Sequence, residues 1–276
     1  NKENIVGMAV NTSTGTNTSD GVITLNGLTS TGMFGAAGST VTNAGEIETK
    51  TAVPTGTATG LVGIAVNAST GTNTGKIILG TKFSTGMFGA AGSTLINKKE
   101  ITGTQENSVG MAGDASTVTN EKTISLAGKN STGLFGKNNS TLTNETNATI
   151  TLGEEESVGI YGKNGTSDKD NLVIDNKYKV TMKADSSVGI LAEKAKVTNE
   201  SNGIVTIEGK KSVGIFGKQG SEIENSGDIL ATSTDPNSAS VGILSDGGKA
   251  TNKKKIEMSG GKSDGMMGIN DAEIIN

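Results

Sequence analysis

The chain has 276 residues, a net charge of −4 and only 3% aromatic residues, with 41 glycines and neither cysteine, tryptophan nor histidine. Arginine is also missing, so a negatively charged chain without the bidentate guanidinium reader is not expected to take a nucleic-acid partner. No disulfide framework or thiolate metal site can form, no cofactor is expected, and no apolar run is long enough to insert in a membrane.

From the N-terminus onward one motif keeps returning: Ser, then Val or Thr, Gly, an aliphatic residue, a variable residue and usually Gly, as in Ser157-Val158-Gly159-Ile160-Tyr161-Gly162. Its marker glycine falls at Gly7, Gly32, Gly63, Gly86, Gly110, Gly133, Gly159, Gly189, Gly214, Gly242 and Gly265, about 26 residues apart. A fixed period of roughly 20 to 50 residues marks a solenoid, in which each repeat is one unit stacked on the next.

The residue after the marker is always aliphatic, from Met8 and Met33 to Met266, so it faces a core. A second short strand follows and ends in Asn, as in Val41-Thr42-Asn43 and Leu142-Thr143-Asn144. A third strand alternates with period two, as in Ile124/Leu126 and Ile150/Leu152. Three short strands separated by Gly and Asn corners describe one coil of an all-β, single-stranded parallel β-helix, and eleven such coils are expected in one domain over 1–276. The pattern is in mid-course at both ends, as expected of a segment from a longer array without caps or a translocator barrel.

The corner asparagines are Asn17, Asn43, Asn73, Asn97, Asn120, Asn144, Asn176, Asn199, Asn225, Asn252 and Asn276. Asn tolerates sharp corners and its amide both donates and accepts, so stacked coils should form an internal structural ladder of amides. The position after the invariant aliphatic residue alternates small and large: Ala9, Ala65 and Ala112 against Phe34, Phe88 and Phe135. The unit of duplication is thus two coils, and residues 5–43 and 61–97 repeat almost unaltered. Strict alternation would turn the Phe stripe outward, whereas a β-arc would turn it in; partial burial is expected, with a binding role as the second reading.

The tandem Ser-Val-Gly-Ile-Tyr/Phe-Gly-Lys motif at 157–163 and 212–218, with the Asn-x-Gly-x-Ile corner at Asn43 to Ile47, Asn73 to Ile77 and Asn225 to Ile229, resembles the passenger regions of large fusobacterial autotransporter adhesins, the RadD-like type V secreted proteins. The resemblance implies a right-handed β-helix exported through an outer-membrane barrel outside this segment. It also implies exposure on the bacterial surface and attachment to a host-cell receptor, protein or glycan, or to a partner bacterium.

Parallel β-helices also carry polysaccharide-acting enzymes, which need paired carboxylates in a groove or a base with cationic help. Asp168 with Asp170, and the run Glu154-Glu155-Glu156, are the only acidic groupings of interest. Neither has Arg or His to work with, and no enzyme is expected. Ser245-Asp246-Gly247-Gly248 and Ser259-Gly260-Gly261 lack the nonapeptide period of calcium-binding repeats. An ice-binding face needs a Thr-x-Thr row on successive coils; the Thr-rich stretches 12–16 and 69–72 read as recurring only twice.

Three additions break the period: 50–60, with Pro54, Thr55 and Thr57; 163–171, with Asp168, Lys169 and Asp170; and 232–240, with Asp235, Pro236 and Asn237. Insertions in solenoids map to loops beside a regular wall, where recognition usually sits. These residues are the expected partner contacts. A pure spacer is the alternative.

Overall fold

The computed structural model describes residues 4–50, 60–165 and 171–276. It is a right-handed parallel β-helix with three parallel sheets of eleven, eleven and ten strands. The first coil shows the plan: Val6–Asn11 lies in the first sheet, Thr14–Asn17 in the second and Val22–Leu25 in the third. Each strand pairs with the strand three places further on. There are ten complete coils, and the eleventh contributes Asp264–Ile269 and Glu273–Ile275 to the first two sheets. Ten complete coils and two strands of an eleventh thus stand where about eleven coils are expected.

The marker glycine has a steric origin. In Thr31–Ala36, Gly32 and Met33 are both buried before Phe34 turns out and Gly35 turns in, so alternation fails for one step. A Cβ on Gly32 would lie 2.6 Å from the carbonyl oxygen of Gly63 and 2.9 Å from Cγ2 of Ile47. The same collision recurs from Gly7 through Gly242. Only a residue without a side chain lets the third-sheet aliphatic and the following core residue share that corner.

Side-chain size is exchanged across the next corner. Val10 and Val66 in the first sheet face Gly15 and Gly71 in the second, with a Cβ on either glycine about 3 Å from the valine methyl groups (3.0 and 3.3 Å). Gly35, Gly89 and Gly136 instead face Val41, Leu95 and Leu142. Nearly every coil keeps one small and one large residue at this contact, the tenth, with Ser245 and Ala250, being the exception, so the packed volume changes little while the sequence changes.

Polar ladders line all three corners. At the second, each Asn side-chain amide donates to the next Asn Oδ1, from Asn17 to Asn43 at 2.8 Å through Asn120 to Asn144 at 3.0 Å and Asn252 to Asn276 at 2.8 Å. The same amide also donates to backbone carbonyls, as Asn43 does to Lys76 at 3.0 Å. At the corner entering the first sheet, the backbone N–H of a marker serine donates to the next serine Oγ along much of the rod, as from Ser131 to Ser157 at 3.2 Å and Ser187 to Ser212 at 3.1 Å, with Leu61 interrupting the column. A second serine column links Ser39 to Ser69 at 3.1 Å and Ser116 to Ser140 at 3.1 Å. The residue before the marker serine is left-handed from Thr29 to Lys262, with φ between 49° and 59°.

Asn120 is fully buried, so Asn120→Ala leaves a donor on Asn97 and an acceptor on Asn144 unpaired and should cost about 2–5 kcal/mol in chemical unfolding. Ser245 carries a buried hydroxyl with no partner among the described residues, and Ser245→Ala should stabilise by ~1–2 kcal/mol in the same assay. For the size exchange, Gly35→Val places Cβ 2.5 Å from Val41 Cγ2 and should cost ~1–3 kcal/mol. Adding Val41→Gly should recover most of that loss, a coupling read directly from a double-mutant cycle.

Candidate interaction surfaces

The outer face of the first sheet carries the Phe stripe. Pairing places Ala9 beside Phe34, Phe34 beside Ala65, Ala65 beside Phe88, Phe88 beside Ala112 and Ala112 beside Phe135. The column continues through Tyr161, Leu191, Phe216, Leu244 and Met267. These side chains point outward and most are half-buried by their neighbours; Phe88 is 36% exposed. A side chain that packs along the axis, on the residues above and below, is partly buried without entering the core.

From coil six to coil nine the column becomes a mixed cluster. The rings of Phe135 and Tyr161 meet edge to face at 5.4 Å. Tyr161 donates its hydroxyl to Glu193 Oε1 at 2.9 Å, and Lys163 pairs with the same carboxylate at 3.3 Å. Burial pushes the Tyr161 hydroxyl above its ordinary value, and the hydrogen bond to Glu193 adds to the shift. The phenol therefore stays protonated and acts as a donor. Lys218 sits over the Phe216 ring at 4.7 Å. In the flanking column Lys137 pairs with Asp114 at 3.0 Å, and the side-chain amide of Asn138 and then Lys137 hold that carboxylate below its usual range. Rigid aromatics set among fixed charges are the residue types that anchor protein contacts at low entropic cost.

Of the loop residues expected to touch a partner, Pro54, Thr55, Thr57, Asp168, Lys169 and Asp170 lie outside the described residues. Asp235, Pro236 and Asn237 are described: Asp235 is half-buried, and Pro236 and Asn237 are exposed. Asp235 accepts from the Asn237 N–H at 2.7 Å and pairs with Lys210 at 3.1 Å, and both interactions hold its carboxyl low. Its carbonyl accepts from the N–H groups of Ser238 and Gly261, each at 3.0 Å. A Cβ on Gly261 would stand 2.3 Å from the Pro236 carbonyl oxygen. The loop is thus tied to the coils on either side, and the Gly260-Gly261 pair makes room for it. In the acidic run 154–156, Glu155 is held by Lys129 across the coils at 2.7 Å.

The second sheet corrects the reading of the threonines. Its outward positions are Thr14 and Thr16, Thr40 and Thr42, Thr70 and Thr72, Thr94 and Ile96, Thr117 and Thr119, then Thr141 and Thr143 on six successive coils, all in register. The Thr-x-Thr row is continuous apart from Ile96. Counting the Thr-rich stretches missed it, because Val, Gly or Leu occupies the buried position between the threonines. Aligning the coils on the corner Asn, one and three residues after the two threonines, reveals the array in the sequence.

No curated protein matches the chain, and no solved structure matches it either. Residues 1–167 match the family described as the BigA third pectate lyase-like domain. With more than half of its length in that match and a complete β-helical wall around it, the chain belongs to the BigA third pectate lyase-like domain family.

Proposed function

We propose that this chain is a wall segment of a surface-exposed bacterial adhesin of the autotransporter type, that it attaches to a host-cell receptor, protein or glycan, or to a partner bacterium, and that it performs no catalysis. Kinship with the RadD-like fusobacterial passengers and export through an outer-membrane barrel belong to the same proposal and rest on the tandem Ser-Val-Gly-Ile-Tyr/Phe-Gly-Lys motif. The observation that carries the reading is the first-sheet cluster of Phe135, Tyr161, Leu191 and Phe216, framed by Lys163, Glu193 and Lys218. It offers aromatic anchors, fixed donors and fixed charge on an unbending support.

The words pectate lyase-like in the family description favour weighing an enzyme as a second reading. Against it, the described carboxylates of interest serve as structural partners: Glu155 with Lys129, Glu193 with Lys163 and Tyr161, Asp235 with Lys210. No arginine or histidine is present to assist a base.

Purified, fluorescently labelled protein should bind epithelial cells, immune cells or partner bacteria, and the double variant Tyr161→Ser with Phe216→Ser should lose most of that binding while keeping its β-sheet circular dichroism. Equal binding by the two proteins would remove the first-sheet face from the reading. No binding by either folded protein would make the segment a spacer. Release of unsaturated products from polygalacturonate would overturn the non-catalytic assignment.

A further inference from the structure

The six-coil threonine array lies on a different wall from the aromatic cluster and has different chemistry. Its twelve outward positions hold eleven threonines and Ile96, with no charge and no aromatic ring. None of these hydroxyls hydrogen-bonds within the described protein. The inward residues of the same strands, Val41, Leu95 and Val118, are packed in the core and fix the backbone behind it.

Spacing defines what can match. Successive coils repeat at ~4.8 Å, and the two columns lie two residues apart along the strand, about 6.6 Å, so the array covers about 24 Å along the axis. Protein contacts are anchored chiefly by aromatic and arginine side chains near the centre of the patch, and the array has none. A rigid, uncharged lattice of methyl and hydroxyl groups, repeating in two directions, is complementary to another lattice. Ice presents rows of oxygen atoms at spacings close to both of these repeats. Threonine suits the match, since its methyl group orders the adjoining water and its hydroxyl joins the network. Beyond coil six the face changes: Asp175, Lys196, Glu222 and Glu224 take the outward positions and end the lattice.

We propose that the outer face of the second sheet over coils one to six is an ice-binding surface, taking crystalline water as its ligand. This goes beyond attachment to cells and rests on separate residues.

The test uses the whole described chain. Purified protein should shape ice crystals, give thermal hysteresis on a nanolitre cooling stage and be enriched in a slowly grown ice hemisphere. Thr72→Tyr, at the middle of the array, should lose most of all three signals. Thr151→Tyr, on the outer face of the third sheet, should retain them. Ile96→Thr completes the lattice and should raise the hysteresis, a gain that a folding defect cannot produce. Absence of ice shaping by the unaltered protein overturns the proposal, as does equal activity of Thr72→Tyr confirmed folded by circular dichroism. Retention on insoluble chitin or cellulose particles without incorporation into ice would also overturn it, identifying a glycan lattice instead. The Tyr161 and Phe216 variants should bind ice normally, so failure of the adhesin reading leaves this one standing.

Discussion

A buried amide has to find its partners one coil away. From Asn43 to Asn252 each side chain donates to the next and accepts from the one before, inside a wall where water cannot substitute. Leaving one such group unpaired costs on the order of 1–3 kcal/mol, and each misplaced coil would unpair two. This requirement sets the register of the second corner, and the serine columns repeat it at the other two. The interior is therefore indexed by polar contacts and filled by apolar ones.

With the interior so constrained, the outward positions are free to differ from coil to coil. Pairing in register turns each outward position into a column running the length of the rod. The first sheet becomes an apolar and aromatic column beside a column of paired charges, Asp114 with Lys137 and Lys163 with Glu193. The second becomes a threonine lattice that gives way to charge after coil six. One scaffold thus presents chemically distinct walls on its different faces, and none of them requires a pocket.

Much of this was legible from the residues. The returning marker motif, the corner asparagines and the period-two third strand identify the coil, its three strands and the amide ladder. The alternation Ala9, Phe34, Ala65, Phe88 reveals the two-coil unit. Four features were hidden. Gly32 reads only as the marker of the repeat, yet its role is to avoid the Gly63 carbonyl oxygen and Ile47, a contact between residues far apart in the chain. The reciprocal exchange of Val10 and Gly15 for Gly35 and Val41 becomes meaningful only when both are seen to meet across one corner. The threonine array was obscured because its members are adjacent across coils, and the tie of loop 232–240 to the neighbouring coils was hidden because hydrogen bonds to Gly261 leave no local signal.

Because the large and small partners of the size exchange belong to the same coil, nearly every coil carries its own packing solution, while the asparagine ladder connects any coil to any other through identical atoms. Unequal recombination between such repeats can lengthen or shorten the gene by whole coils without creating a cavity or an orphan amide at the junction. Rod length is then a trait that drifts or is selected cheaply, on a time scale far shorter than that for inventing a new fold, and related strains should differ first in their number of coils.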